Sequence, residues 1–166
     1  MRHEFRLEDW VPRVYRFALR LCRDAHVAED LTQDTFLRAW RQQQRLRDAG
    51  ALRVWLFRIT VNLWQDRLRR GRLPVSMAGQ LPDEFLGSAA LPDHEPSARE
   101  DLAKALAALD ALPPRQREVL HMSACEQMTT PEIAEVLGIS AEAVKSNLSL
   151  ARKAMRQQLS DINETV

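Results

Sequence analysis

The placement of glycine and proline constrains this chain more than any other feature. Between Val14 and Arg70 the only glycine is Gly50 and there is no proline, whereas Gly71 to Pro96 holds three glycines and four prolines. A long stretch without breakers favours helices, and a dense cluster of breakers interrupts them. The pattern predicts an all-α protein of two small helical domains, residues 1–72 and 98–160, joined by a linker over 73–97 and followed by a tail over 161–166. Hydrophobic residues make up 45% of the 166, enough for two cores.

Periodicity fills in the helices. Val14, Phe17, Ala18 and Leu21 share one face of a helix over Val11 to Arg23. Asp24 is placed to cap a second helix that carries Val27, Leu31, Thr35, Leu37 and Trp40. A third runs from Leu52 to about Arg70, with Leu52, Leu56, Ile59 and Leu63 on its apolar face and Arg58, Asn62, Gln65 and Arg69 on another. In the second half, Ser97 to Glu100 has capping-box spacing ahead of a helix through Leu109, and Pro113-Pro114 opens the next. Thr129-Thr-Pro-Glu132 is a second capping box. The short helix behind it ends at Gly138, and Ser140 caps a last helix to about Leu159. A short helix, a glycine turn and a longer helix have helix-turn-helix spacing.

The net charge of +1 conceals a division. Residues 38–72 hold ten arginines against Asp48 and Asp66, while residues 73–98 hold four acids and no Lys or Arg. Only Lys104, Lys145 and Lys153 of the 24 basic residues are lysine. Guanidinium forks suit phosphates and base edges, so the basic segment points to nucleic acid.

Other classes receive less support. No apolar run approaches the roughly 18 residues of a membrane span, and Met1 to Trp10 lacks a signal-peptide core, so a cytoplasmic location is expected. Two cysteines about a hundred residues apart form no disulfide framework. Cys22 with His26, and His121 with Cys125, stand four residues apart and could form half of a metal site, but both cysteines also suit apolar positions. The four histidines are scattered, and no nucleophile elbow, P-loop or metalloprotease pattern is present. Neither an enzyme, nor a small-molecule substrate, nor a metal or other cofactor is expected. A helix-turn-helix regulator that binds DNA without polymerase is an alternative, but it leaves the basic segment unexplained.

Longer motifs carry a resemblance. Asp30-Leu-Thr-Gln-Asp-Thr-Phe-Leu-Arg-Ala-Trp40, Trp55-Leu-Phe-Arg-Ile-Thr-Val-Asn62 and Asp66-Arg-Leu-Arg-Arg70 resemble the second region of extracytoplasmic-function sigma factors. Leu112-Pro-Pro-Arg-Gln-Arg-Glu-Val-Leu120, Glu132-Ile-Ala-Glu-Val-Leu-Gly138 and Ala143-Val-Lys-Ser146 with Ala151-Arg-Lys-Ala154 resemble the fourth. The resemblance implies a protein that binds core RNA polymerase, carries it to promoter DNA and helps open the duplex. It also implies an anti-sigma factor, often membrane-bound, as a further partner.

The resemblance assigns core-polymerase contacts to Asp30, Leu31, Gln33, Asp34, Leu37 and Trp40. It assigns the melted minus-ten element to Arg45, Leu46, Arg47, Asp48, Ala49, Gly50, Ala51 and Arg53, and to the stripe of Arg58, Asn62, Gln65 and Arg69. Leu46 and Asp48 depart from the family's usual Phe-Arg-Gly, which puts base preference there in question. The minus-thirty-five element falls to Glu142, Lys145, Ser146, Asn147, Ser149, Arg152, Lys153 and Arg156. Asn147 and Leu150 replace two usual arginines, which implies weaker and less salt-sensitive binding by this lobe. Gln127 stands where the family often has glycine. Trp55 and Trp64 are expected mostly in the core, and the acidic linker is expected to run near the path of nucleic acid in polymerase.

Overall fold

The computed structural model describes residues 6–46, 48–71 and 96–163. Every regular element among them is helical. The chain divides into two compact units. The first is built on α1 (Val11–Cys22), α2 (Ala25–Gln42) and α3 (Leu52–Arg69). The second holds α4 (Pro96–Asp110), α5 (Pro114–Ala124), most of α6 (Thr130–Leu137) and α7 (Ala141–Asn163). No described helix is long and apolar enough to cross a membrane.

In the first unit each helix packs on the other two. α1 ends at Cys22 because Arg23 turns left-handed, with φ 57°, and its N–H donates to the Leu19 carbonyl. Asp24 then caps α2, its carboxylate accepting the Val27 N–H at 3.0 Å. The core includes Leu7, Val14, Leu52, Leu56 and Ile59, with Trp10, Phe36, Leu46, Trp55 and Leu63 packed around it. Phe17 of α1 meets Phe57 of α3 with ring centroids 4.5 Å apart. Between α2 and α3 the buried hydroxyls of Thr35 and Thr60 lie 3.2 Å apart. Each also reaches a carbonyl of its own helix, that of Leu31 and of Leu56 respectively. With each hydroxyl proton given to the carbonyl of its own helix, both donors are satisfied locally and the two oxygens meet as a close contact without a proton of its own.

The apolar face predicted for α3 is correct but incomplete, since Phe57, Thr60 and Trp64 are buried as well. α3 touches both α1 and α2 and therefore hides more than one stripe. Trp64 is buried and Trp55 half-buried, in agreement with a core role for both.

In the second unit α7 packs against α4 and α5. Val119, Met122, Ile133, Val144 and Ala151 are fully buried. Pro114 opens α5 as its first helical residue. The second capping box forms as predicted, the Glu132 carboxylate accepting the Thr129 N–H at 2.7 Å. Gly138 ends α6 with φ 64°, and the Ser140 hydroxyl accepts the Ala143 N–H at 3.1 Å. α4 begins at Pro96, one residue before Ser97, and the side chain of Ser97 in the first predicted capping box lies outside the described residues.

Replacing Phe17 with alanine removes one ring of the α1–α3 contact and leaves a cavity in a site with no solvent access. The expected cost is about 3–5 kcal/mol of unfolding free energy. Denaturant unfolding of the full chain, followed by a signal from the first unit, checks it.

Candidate functional site

α2 buries Ala28, Leu31, Thr32, Thr35 and Ala39 and turns its other side outward. That side carries Asp30, Gln33, Leu37 and Trp40, and its two large apolar residues are unusually bare: Leu37 is 56% exposed and Trp40 66%. Isolated exposed leucines are common, but a tryptophan left in water beside one is a recognised mark of a contact surface. Leu31 is a correction to the predicted set. It is fully buried, because it shares the inward face with Ala28 and Thr35, so it supports the surface and does not form it.

Asp34 stands on the same side and already has a partner. Its carboxylate accepts from the Arg67 guanidinium of α3 at 2.6 Å. The pair sits in a groove of about 580 Å³ between α2 and α3, whose walls include Asp30, Leu37, Arg38, Arg41, Arg67 and Arg70. Sequence periodicity did not reveal this arrangement, because Arg67 lies off the predicted stripe. The groove mixes both signs of charge, so it fits a polar protein partner better than a simple polyanion.

The turn before α3 is built by two residues that departed from the family pattern. Leu46 is half-buried and packs on the core, which pins the loop. Asp48 accepts the Gly50 N–H at 2.8 Å and so closes the turn over Ala49–Ala51. A β-carbon on Gly50 would come within 3.3 Å of that carboxylate. Both residues therefore shape the loop. Asp48 and Ala51 are exposed. Arg47 lies outside the described residues, as do the side chains of Arg45 and Ala49. On α3, Arg58, Asn62 and Arg69 are exposed while Arg53 and Gln65 are half-buried. Arg69 is held by Asp66 one turn back.

On α7 the predicted face is outward. Glu142, Lys145, Ser146, Ser149, Arg152, Lys153 and Arg156 are all exposed, opposite buried Val144, Leu148 and Ala151. Asn147 differs. It is half-buried, and its side-chain nitrogen donates to the Ala143 carbonyl at 2.8 Å, so one of its two N–H groups is spent inside the helix. Lys145, Ser149, Arg152 and Arg156 border a polar concavity of about 510 Å³ that also includes Thr129 and Thr130 at the start of α6. Thr129 caps α6 and Thr130 is its first residue, and neither was legible from the sequence as part of this concavity. Gln127 has φ 52°, the left-handed conformation that glycine would adopt without strain.

The second unit has another concavity, of about 420 Å³, lined by Leu106, Leu109, Leu120 and Met155 with Cys125 and His121. It is apolar and involves α4, α5 and α7. The other proposed metal pair is not assembled as a site. The Cys22 thiol donates to the Asp24 carbonyl, and burial pushes its pKa up. Among the described residues no three His, Cys, Asp or Glu side chains converge to hold a metal ion.

Two family models match the chain. Residues 7–73 match sigma-70 region 2, and residues 102–155 match sigma-70 region 4. The chain is 36% identical over 151 residues to the ECF RNA polymerase sigma factor SigE of Mycolicibacterium smegmatis, covering 89% of this chain and 57% of that protein. It is 36% identical over 155 residues to the ECF RNA polymerase sigma factor SigL of Mycobacterium tuberculosis, covering 92% of this chain and 85% of that one. Its fold is similar to that of the sigma factor RpoE, solved with the anti-sigma factor NepR from Bartonella quintana. The TM-score is 0.69 at 27% identity, over 93% of this chain and 94% of that one.

One acidic side chain in the second unit gives a pH signature. Burial pushes the Glu118 carboxyl above its ordinary range, against the lowering effect of Arg115, whose guanidinium donates to it at 3.0 Å, and of Arg117. A raised value in the folded state favours the protonated form. Its contribution to stability is therefore complete below the unfolded carboxylate value and is lost as pH rises through the folded one. The Glu118→Gln variant is expected to lose that dependence, so unfolding curves of the two proteins should diverge just above the usual carboxylate range.

Proposed function

We propose, from the premise that this chain belongs to the sigma-70 family and to its extracytoplasmic-function branch, that it binds core RNA polymerase, directs it to promoters and promotes melting. In this reading residues 1–72 bind the core and the minus-ten element, and residues 98–160 read the minus-thirty-five element. The chain does no bond-making chemistry of its own. In this reading phosphodiester formation is left to the polymerase, and the chain works in the cytoplasm beside it. A soluble or membrane-bound anti-sigma factor is a fitting regulator, because it would compete for the same exposed surfaces.

The observation that carries the reading is the outer side of α2. Leu37 and Trp40 stand bare beside Asp30 and Gln33, a combination suited to a protein interface and of no use to a self-sufficient DNA binder. Beside it, α3 offers Arg58 and Asn62 outward, one for phosphate and one for a base edge. Asp34 serves this face indirectly, since its carboxylate is shared with Arg67 and any polymerase cation must compete for it. Asp48 and Leu46 shape the loop that meets the unpaired strand, with contact left to the exposed backbone and neighbouring side chains. On α7, Lys145 can donate to guanine, and Arg152, Lys153 and Arg156 to phosphates.

Run-off transcription on a template library, with core polymerase in the presence and absence of the chain, tests the whole reading. No association with core would end it. Trp40→Ala is expected to weaken core association by at least about tenfold, as loss of an interfacial tryptophan does, without altering the fold, since the ring is exposed. Pull-down or polarisation titration against core measures it.

The second expectation concerns salt. Restoring arginine at both departures, Asn147→Arg with Leu150→Arg, is expected to steepen the log–log salt dependence of upstream-element binding by about 2 units. Titrations across a range of monovalent salt give the slope, and equal slopes for the two proteins would contradict it.

A further inference from the structure

The outward face of α7 is polar except at one position. Leu150 is 51% exposed, and among the described residues of the second unit it is the one large apolar side chain left so bare. It does not belong to the buried side, which Val144, Leu148 and Ala151 form. It lies on one stripe with Ser146, Ser149 and Lys153, at offsets of three, four and seven residues from the first. That is the spacing at which a recognition helix lying along the major groove presents side chains to base edges.

The surroundings identify what Leu150 would meet. Lys153 is exposed one turn along from it, and Lys145, Arg152 and Arg156 are exposed with Ser149 on another side of the same helix, cations suited to phosphates. Inside the groove a leucine has nothing to offer a hydrogen-bonding edge, and it desolvates any donor or acceptor it covers. The four base pairs differ in this respect. Only thymine displays an apolar group, its 5-methyl, on the major-groove edge. The two serines beside Leu150 are short, so the leucine projects beyond them toward the groove floor.

We infer that Leu150 is a specificity-determining residue that selects thymine, through its 5-methyl group, at one position of the upstream promoter element. The inference rests on the reading of this lobe as the upstream-element reader. Asn147 adds a bias on the neighbouring flank: with one N–H tied to Ala143, its amide keeps one donor and its oxygen for a base.

The test uses the full chain bound to core polymerase, on a promoter chosen from the run-off library. Each thymine of the upstream element is replaced singly by deoxyuridine, which removes the methyl and nothing else. At one position the replacement should weaken binding of the wild-type complex about fourfold, the worth of one buried methyl. Leu150→Ala should be indifferent to the replacement at that position and should respond as wild type elsewhere. Because the side chain is exposed, this variant has no core to disturb.

If no position separates the two proteins while scrambling the upstream element still abolishes binding, the inference falls and the reading of the lobe stands. If scrambling that element and Lys145→Ala both leave binding unchanged, the reading itself falls and takes the inference with it. If Leu150→Ala instead loses affinity for core polymerase on every template, the residue is a protein contact, and the inference is likewise overturned.

Discussion

What the first lobe can offer a partner is decided by the seam between α2 and α3. Each helix must bury a face there, and what remains outward is what a partner meets. The seam is closed by Leu31, by the paired hydroxyls of Thr35 and Thr60, and at its end by the ion pair of Asp34 with Arg67. A shift in register of one residue would rotate α2 by about 100° and carry Leu37 and Trp40 toward the core. Such a shift would part Thr35 from Thr60 and Asp34 from Arg67, the polar contacts that span the two helices, while each hydroxyl kept the carbonyl of its own helix.

Much of this was legible from residues whose chemistry is local. Asp24, Thr129 with Glu132, Gly138 and Ser140 act within one turn of themselves, and each does what its spacing predicts. The exposed set on α7 was legible for a related reason: a single periodic stripe of buried residues fixes the opposite face. Leu31 was misassigned by its place in the motif, although its spacing from Ala28 and Thr35 puts it on the inward face. What escaped spacing was set by tertiary neighbours. α3 hides more than one stripe because two helices flank it, and no single helical period announces that.

The departures from the family pattern are informative for the same reason. As isolated letters, Leu46 and Asp48 suggest a lost stacking ring and an unwelcome charge. In the fold one is an anchor to the core and the other satisfies a backbone N–H inside a tight turn. The same turn can thus be held by different chemistry, at the cost of whatever base contact the usual residues would make. Asn147 makes the converse point. The letter suggests a base reader, while its nitrogen is partly committed to the helix that carries it. Gln127 shows the fold enforcing a backbone conformation that the side chain does not favour.

Charge is the last quantity that the fold revises. Counted along the sequence, residues 38–72 have eight more positive than negative side chains. In space Arg67 is occupied by Asp34, which lies outside that segment, and Arg69 by Asp66 within it. Asp66 is already in that count, so only the Asp34 carboxylate lowers it, from eight to seven. Both pairs are open to water on at least one side, and such pairs gain little, so a phosphate or a polymerase carboxylate can replace the internal partner at small cost. Arg67 and Arg69 are thus held loosely, each by a carboxylate that another anion can replace. On the proposed reading, cations neither exposed outright nor buried beyond reach suit a protein that meets promoters as part of a larger machine.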